Sequence, residues 1–164
     1  TFMTMRIVVM GVSGCGKSTV GRMLAEKLDA KFIDGDDLHP AENKAKMAAG
    51  IALNDEDRWP WLDKVGASLG ENEKIVIACS ALKRKYRERI LDSANNSVFV
   101  HLDGSRDVLA ERMTSRPNHF MPVTLLDSQL ATLEPLQFDE PGLKVNIDQP
   151  VENIVERCLG FIRE

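Results

Sequence analysis

Apolar residues along this chain fall into short continuous runs that alternate with stretches of helical spacing. Arg6-Ile-Val-Val-Met10 is mostly an unbroken apolar run ending at Gly11, as expected of a strand buried on both faces. Ser18–Leu28 follows, with Val20, Met23, Leu24 and Leu28 at helical spacing. Lys31–Asp34, Lys74–Ala78, Ser97–Leu102 and Leu143–Ile147 predict four further strands. Pro40–Ala49 and Asp55–Leu69 read as helices, the second with Trp59, Leu62, Val65 and Leu69 on one face. Lys83–Leu91 reads as a basic helix, Val108, Leu109 and Met113 mark another, and Leu126, Leu130 and Leu133 one more. Arg116–Pro122 has no period and predicts a loop. The last helix begins near Pro150, a good first-turn residue, and carries Val151, Ile154, Val155, Cys158, Leu159 and Ile162 as its stripe. Strands alternating with helices predict an α/β fold in three layers, with a five-stranded parallel sheet covered by helices on both faces. In such sheets ligands bind beyond the carboxyl ends of the strands.

Size and composition narrow this picture. At 164 residues and 18.3 kDa the chain suits one domain over 1–164. A hydrophobic fraction of 43% and a charged fraction of 28% are ordinary for a soluble globular chain and exclude disorder for its bulk. A net charge of −4 and a pI near 5.5 argue against nucleic acid or an anionic membrane as the main partner. Cys15, Cys79 and Cys158 lie far apart and form no CxxC pair, so neither a disulfide framework nor a zinc site is expected, and a cytoplasmic location is. No apolar run approaches the roughly 20 residues that span a bilayer, and Thr1–Arg6 lacks the pattern of a signal peptide.

The chemistry begins at Gly11-Val-Ser-Gly-Cys-Gly-Lys-Ser18, which fits GxxxxGK[ST] with a strand before it and an amphipathic helix after it. A triphosphate needs many donors at contact distance, and glycines let the backbone come that close. The expected nucleotide contacts are therefore Gly11, Val12, Ser13, Gly14, Cys15, Gly16, Lys17, Ser18 and Thr19. Lys17 supplies charge to the β/γ-phosphates, and Ser18 a hydroxyl to Mg²⁺. Cys15, beside a helix N-terminus, is either a small residue filling the loop or an activated thiol.

Four other segments carry candidate groups. Phe32-Ile-Asp-Gly-Asp-Asp-Leu-His39 places carboxylates just past the second strand, beside the phosphate loop. Phosphoryl transfer asks for one carboxylate near the metal and one near the acceptor hydroxyl. The alternative is an acidic turn in which Asp36 or Asp37 caps a helix. In Asn54–Trp61, Arg58 suits an anionic substrate, with Asp55 as the helix cap and Trp61 as core. Ser80 ends the third strand where a Walker B strand would carry Asp, which hands the metal-linked role to Asp34 or Asp36. In the basic run that follows, Lys83 lies nearest the strand end and is the cation expected to face a substrate anion. Arg112 and Arg116, four apart on a helix face, suit a closing loop that brings charge to the phosphates.

Taken together, these segments resemble the gluconokinase family of P-loop kinases, from Ile7 to Ile162. The resemblance rests on Gly11–Ser18, Asp34–Asn43, Lys46-Met47, Leu53–Arg58, Cys79–Arg84, His119–Pro122 and Leu125–Gln129. It implies ATP-dependent phosphorylation of D-gluconate to 6-phospho-D-gluconate with Mg²⁺, on the fold of the shikimate and nucleoside monophosphate kinases, with a mobile lid at about 112–135. It further implies Asp34 near the metal and Asp36 facing the acceptor hydroxyl. Arg58 would sit on the substrate carboxylate, with His39, Lys83 and His119 also on the substrate. Arg112 and Arg116 would stand at the lid's start, and Asp148 and Pro150 beside the adenine. The expected partners are D-gluconate and at most a second copy of the chain in a homodimer, with no nucleic acid and no membrane. Pro117-Asn118 departs from a more flexible pair in the family pattern, and Ala52 stands where Pro is expected. The rivals are another small-molecule P-loop kinase, shikimate-like or acting on nucleoside monophosphates, and a non-enzymatic nucleotide switch. A GTPase switch needs Asn-Lys-x-Asp after a later strand, which Asn43-Lys-Ala-Lys46 does not supply.

Overall fold

The computed structural model describes residues 4–114 and 123–163. The sequence-predicted loop 116–122, with Arg116, the Pro117-Asn118 pair and His119, lies outside them. Five strands, β1 (Met5–Met10), β2 (Lys31–Asp34), β3 (Lys74–Ala78), β4 (Val98–Asp103) and β5 (Gly142–Asn146), form one parallel sheet in the order β2-β3-β1-β4-β5. The sheet is as the apolar runs predict: Ile7–Met10 and Ile75–Ala78 are buried throughout, leaving no polar face.

Seven helices connect and cover the strands: α1 (Lys17–Leu28), α2 (Ala41–Ala48), α3 (Asp55–Gly70), α4 (Arg84–Ser93), α5 (Arg106–Thr114), α6 (Val123–Thr132) and α7 (Val151–Ile162). The chain moves outward from β1 to β2 and then back through β3 to β4 and β5. Parallel crossovers are right-handed, so reversing direction puts the connecting helices on opposite faces. Accordingly α1 packs on β3 and on α7, whereas α3 packs on α4. The reversal falls beside β1, and the carboxyl ends of β1 and β3 therefore frame a crevice.

Three local outcomes refine the sequence reading. The helix after β2 is preceded by a 3₁₀ turn, Gly35–Leu38, capped by Asp34, whose Oδ1 accepts the Asp36 N–H at 3.1 Å. Neither Asp36 nor Asp37 is the cap. Helix α3 is capped by Asn54, not Asp55: Asn54 Oδ1 accepts the Asp57 N–H at 2.8 Å and Asp57 Oδ2 accepts the Asn54 N–H at 3.0 Å. Asp55 turns away to accept from Lys85 and the Tyr86 hydroxyl, which hold its carboxyl down at about 2. Among the described residues no helix is long and apolar enough to cross a membrane.

Candidate active site

The phosphate loop leaves β1 at Gly11, whose N–H donates to Ser80 O at 3.3 Å, and enters α1 at Lys17. Gly16 caps that helix with φ 90°, a left-handed conformation that suits glycine, and no side chain caps the first turn. The first turn of α1 thus begins at the loop without a side-chain cap, the setting in which helix N–H groups hold phosphate oxygens. Lys17 Nζ donates to Val12 O at 3.2 Å across the loop. Cys15 is 1% exposed, so it fills the loop.

Asp34 and Asp36 flank Gly35 at the end of β2. Asp34 Oδ2 accepts the Ser18 hydroxyl at 3.1 Å, joining β2 to the first turn of α1. A Cβ on Gly35 would lie 2.4 Å from Ala78 O, so only glycine lets β2 end this close to β3. The Gly35 carbonyl accepts the indole N–H of buried Trp61 at 2.8 Å. Trp61 stacks on His39 with ring centroids 4.0 Å apart and 17° between planes. Burial first, then the charges of Arg58 and Lys44, lower the His39 pKa to about 4.

Two clefts meet at the loop. The first is lined by Ser13 and Lys17 on one side and by Asp36, His39, Arg58 and Ser80 on the other. Arg58 Nη1 donates to the Tyr86 hydroxyl at 2.9 Å, and its guanidinium lies 5.1 Å from the Tyr86 ring centroid. Tyr86 in turn donates to Asp55, so a buried phenol sets the direction of the arginine. Burial, and the bond to Asp55, push that phenol up to about 12. The second cleft is lined by Cys15, Gly16, Thr19, Arg112, Gln149 and Ile154, among others. Arg112 Nη2 donates to Ile147 O at 2.7 Å.

The structure thus gathers Lys17, Asp36, His39 and Arg58 in one cleft and Thr19 and Arg112 in the other. Three of the expected residues lie off these two linings. Lys83 does not line the cleft: it caps α4, with Nζ 5.8 Å from the Tyr86 ring centroid, while Arg58 takes the cleft side. Asp148 and Pro150 do not line the second cleft, but Gln149 between them does. The Asn146 side chain accepts the Asp148 N–H at 2.8 Å, and this turn leaves Asp148 exposed.

Other residues carried no role in the sequence reading. Gln129 on α6 accepts the Ser13 N–H through Oε1 at 2.7 Å, and with Ser128 and Thr132 it adds a polar wall to the first cleft. The only sequence signal for it was its place in the segment Leu125–Gln129. Asn43 is buried at 3% exposure, and its four-residue spacing from His39 is a signal visible afterwards.

A phosphate loop at the switch point of a parallel sheet, with a second cleft beside Thr19 and Arg112 and a first cleft bearing a carboxylate and an arginine, defines a P-loop kinase of small molecules. The shikimate kinase family model matches residues 13–158. The thermosensitive gluconokinase of Escherichia coli K12 is 46% identical, covering 92% of this chain and 83% of that protein. The gluconokinase of Gluconobacter oxydans is 45% identical over 93% of this chain and 88% of its own length. The crystal structure of a gluconokinase from Sinorhizobium meliloti superposes with a TM-score of 0.92 at 48% identity, covering 99% of this chain and 94% of that one. A shikimate kinase from Aquifex aeolicus shares the fold at 21% identity and a TM-score of 0.61. The chain belongs to the shikimate kinase family and, within it, to the gluconokinases. It is an ATP-dependent kinase.

Proposed function

We propose that the chain transfers the γ-phosphoryl group of ATP to the terminal hydroxyl of D-gluconate, giving 6-phospho-D-gluconate and ADP. The observation that carries this reading is that one cleft holds both the phosphate-loop lysine, Lys17, and a carboxylate, an imidazole and an arginine on its far side. A sugar acid needs one cation for its carboxylate and polar groups for its hydroxyls, which Arg58, His39 and the α6 residues Ser128, Gln129 and Thr132 supply. The names of its relatives point to the same substrate.

In the reaction the acceptor oxygen forms a bond to the γ-phosphorus as the bond to the β–γ bridging oxygen breaks. The acceptor's hydroxyl proton passes to Asp36, and ADP leaves. Lys17 and the N–H groups at the start of α1 hold the charge that moves onto the phosphates. Arg58, aimed by Tyr86, orients the acceptor through its carboxylate. The nucleoside lies along the second cleft, between Thr19 and Gln149, with Arg112 at its mouth. We read the chain as a single domain. We assign the protein to the cytoplasm.

The Ser18 hydroxyl and Asp34 carboxylate suit Mg²⁺, which takes hard oxygens and binds through one or two protein groups together with phosphates and water. Among the described residues no group of three acidic, His or Cys side chains is placed to hold a metal ion, and two hard-oxygen ligands leave the remaining positions to phosphate and water. When bound, the ion neutralises charge on the transferred group.

A coupled ADP-release assay with gluconate, shikimate and AMP tests the reading. Gluconate is expected to be turned over best. Arg58→Ala should lower kcat/KM for gluconate by on the order of 10²-fold, with little change in ATP affinity. Turnover of shikimate or AMP at a rate equal to gluconate would overturn the proposal.

A further inference from the structure

Asn43 lies on α2, behind His39 and away from the cleft lining, yet it is among the most buried polar residues of the protein. Its Nδ2 is 2.7 Å from the Asp57 carbonyl oxygen and 3.1 Å from His39 Nδ1. A carbonyl oxygen can only accept, so the NH₂ end of the amide must face Asp57, and the amide orientation follows. The second hydrogen of that same NH₂ then serves the bond to His39, and Nδ1 must accept it. A neutral imidazole has one N–H, which therefore sits on Nε2. Nothing here is free to turn over. Asp57 is held in the α3 cap and by Lys46 at 2.8 Å, and Trp61 clamps the ring by stacking.

We propose that Asn43 is a positioning residue that locks His39 as the neutral ring protonated on Nε2, making His39 a hydrogen-bond donor to an oxygen of the acceptor and not a base. This rests on the reading of the first cleft as the gluconate site. The charges of Arg58 and Lys44 are both cationic and oppose a second proton on it. A donor-only imidazole leaves the proton-accepting role to Asp36 across the same cleft. It also matches a substrate rich in hydroxyl and carboxylate oxygens.

Two-bond ¹H–¹⁵N spectra of the full-length enzyme at neutral pH, assigned with His39→Gln, read the tautomer directly. The expected result is protonation on Nε2 in the wild type and loss of that tautomer in Asn43→Asp, whose carboxylate favours a proton on Nδ1. Asn43→Asp should then raise KM for gluconate about tenfold, with KM for ATP changed less than about twofold. His39→Gln, whose amide nitrogen reaches towards the Nε2 position, should keep more gluconate affinity than His39→Asn, whose amide reaches only Nδ1. A wild-type ring protonated on Nδ1, or on both nitrogens, would overturn the lock. An altered tautomer in Asn43→Asp with unchanged gluconate KM, or equal kinetics for the His39 pair, would overturn the donor role. If Asn43→Asp does not fold, the wild-type spectrum and the His39 pair still decide. Absence of gluconate turnover by the wild type would instead sink the functional reading, while the ring spectrum continues to report on Asn43.

Discussion

Asp34 and Asp36 stand two residues apart and face different neighbours. Asp34 is engaged by the Ser18 hydroxyl and the Asp36 N–H, both on its own side of the phosphate loop. Asp36 lines the first cleft with Arg58 and His39. A carboxylate that meets Ser18 suits the nucleotide's metal, and one that lines the first cleft suits the acceptor's proton. Asp36→Asn keeps the shape and removes the basic oxygen. It is expected to lower kcat by at least about 10²-fold while leaving ATP binding intact, measured by steady-state kinetics and calorimetric titration with ATP. If ATP affinity collapsed instead, the two carboxylates would exchange roles.

At the scale of elements, the strap that returns the chain from α6 to β5 is pinned onto α4. Arg87 of α4 is fully buried and makes a paired contact with Glu140, Nε to Oε1 at 2.6 Å and Nη2 to Oε2 at 2.9 Å. Its Nη1 donates to Ala81 O at 2.9 Å, just before α4. On the exposed side, Arg84 bridges to Asp139 at 2.7 Å. Breaking a buried pair leaves one charge uncompensated, so Glu140→Gln is expected to destabilise the protein by about 3–5 kcal/mol in urea unfolding. Replacing both partners, as in Arg87→Met with Glu140→Leu, should recover most of that loss. Little of this was legible in the sequence. Arg87 looks like any member of the run Lys83–Arg89, and which cation turns inward depends on a strap 53 residues away. The same holds for Lys83 against Arg58, decided by where Tyr86 packs, and for Gln129, whose partner Ser13 is 116 residues distant. By contrast β1, the phosphate loop and Asp34-Gly-Asp36 could be read directly. Their signals are local: a run buried on both faces, glycines at fixed spacing, and acidic residues at a strand end.

For the whole molecule, acid is expected to act first through histidine. The folded pKa of His39, about 4, lies below its ordinary 6.5. Between those values the unfolded chain takes up a proton that the folded chain refuses, so stability falls as pH drops through this window and levels off for this group below about 4. Burial lowers the pKa of His101 in the same direction. The His39 contribution should be about 2 kcal/mol between pH 7 and pH 5, seen as a falling urea midpoint, and His39→Gln should flatten that slope. The joint at Gly35 has a consequence of another kind. Asp34 and Asp36 hang from a single backbone step that the Ala78 carbonyl leaves no room to rebuild, and the Trp61 indole ties that step to the wall carrying His39. The two carboxylates therefore share a backbone position that substitution at Gly35 cannot adjust. A lineage exploring new acceptors on this scaffold is steered to the cleft's other surfaces, the side chains of Met47, Leu53, Ser128 and Thr132, where shape can drift while the chemistry stays in place.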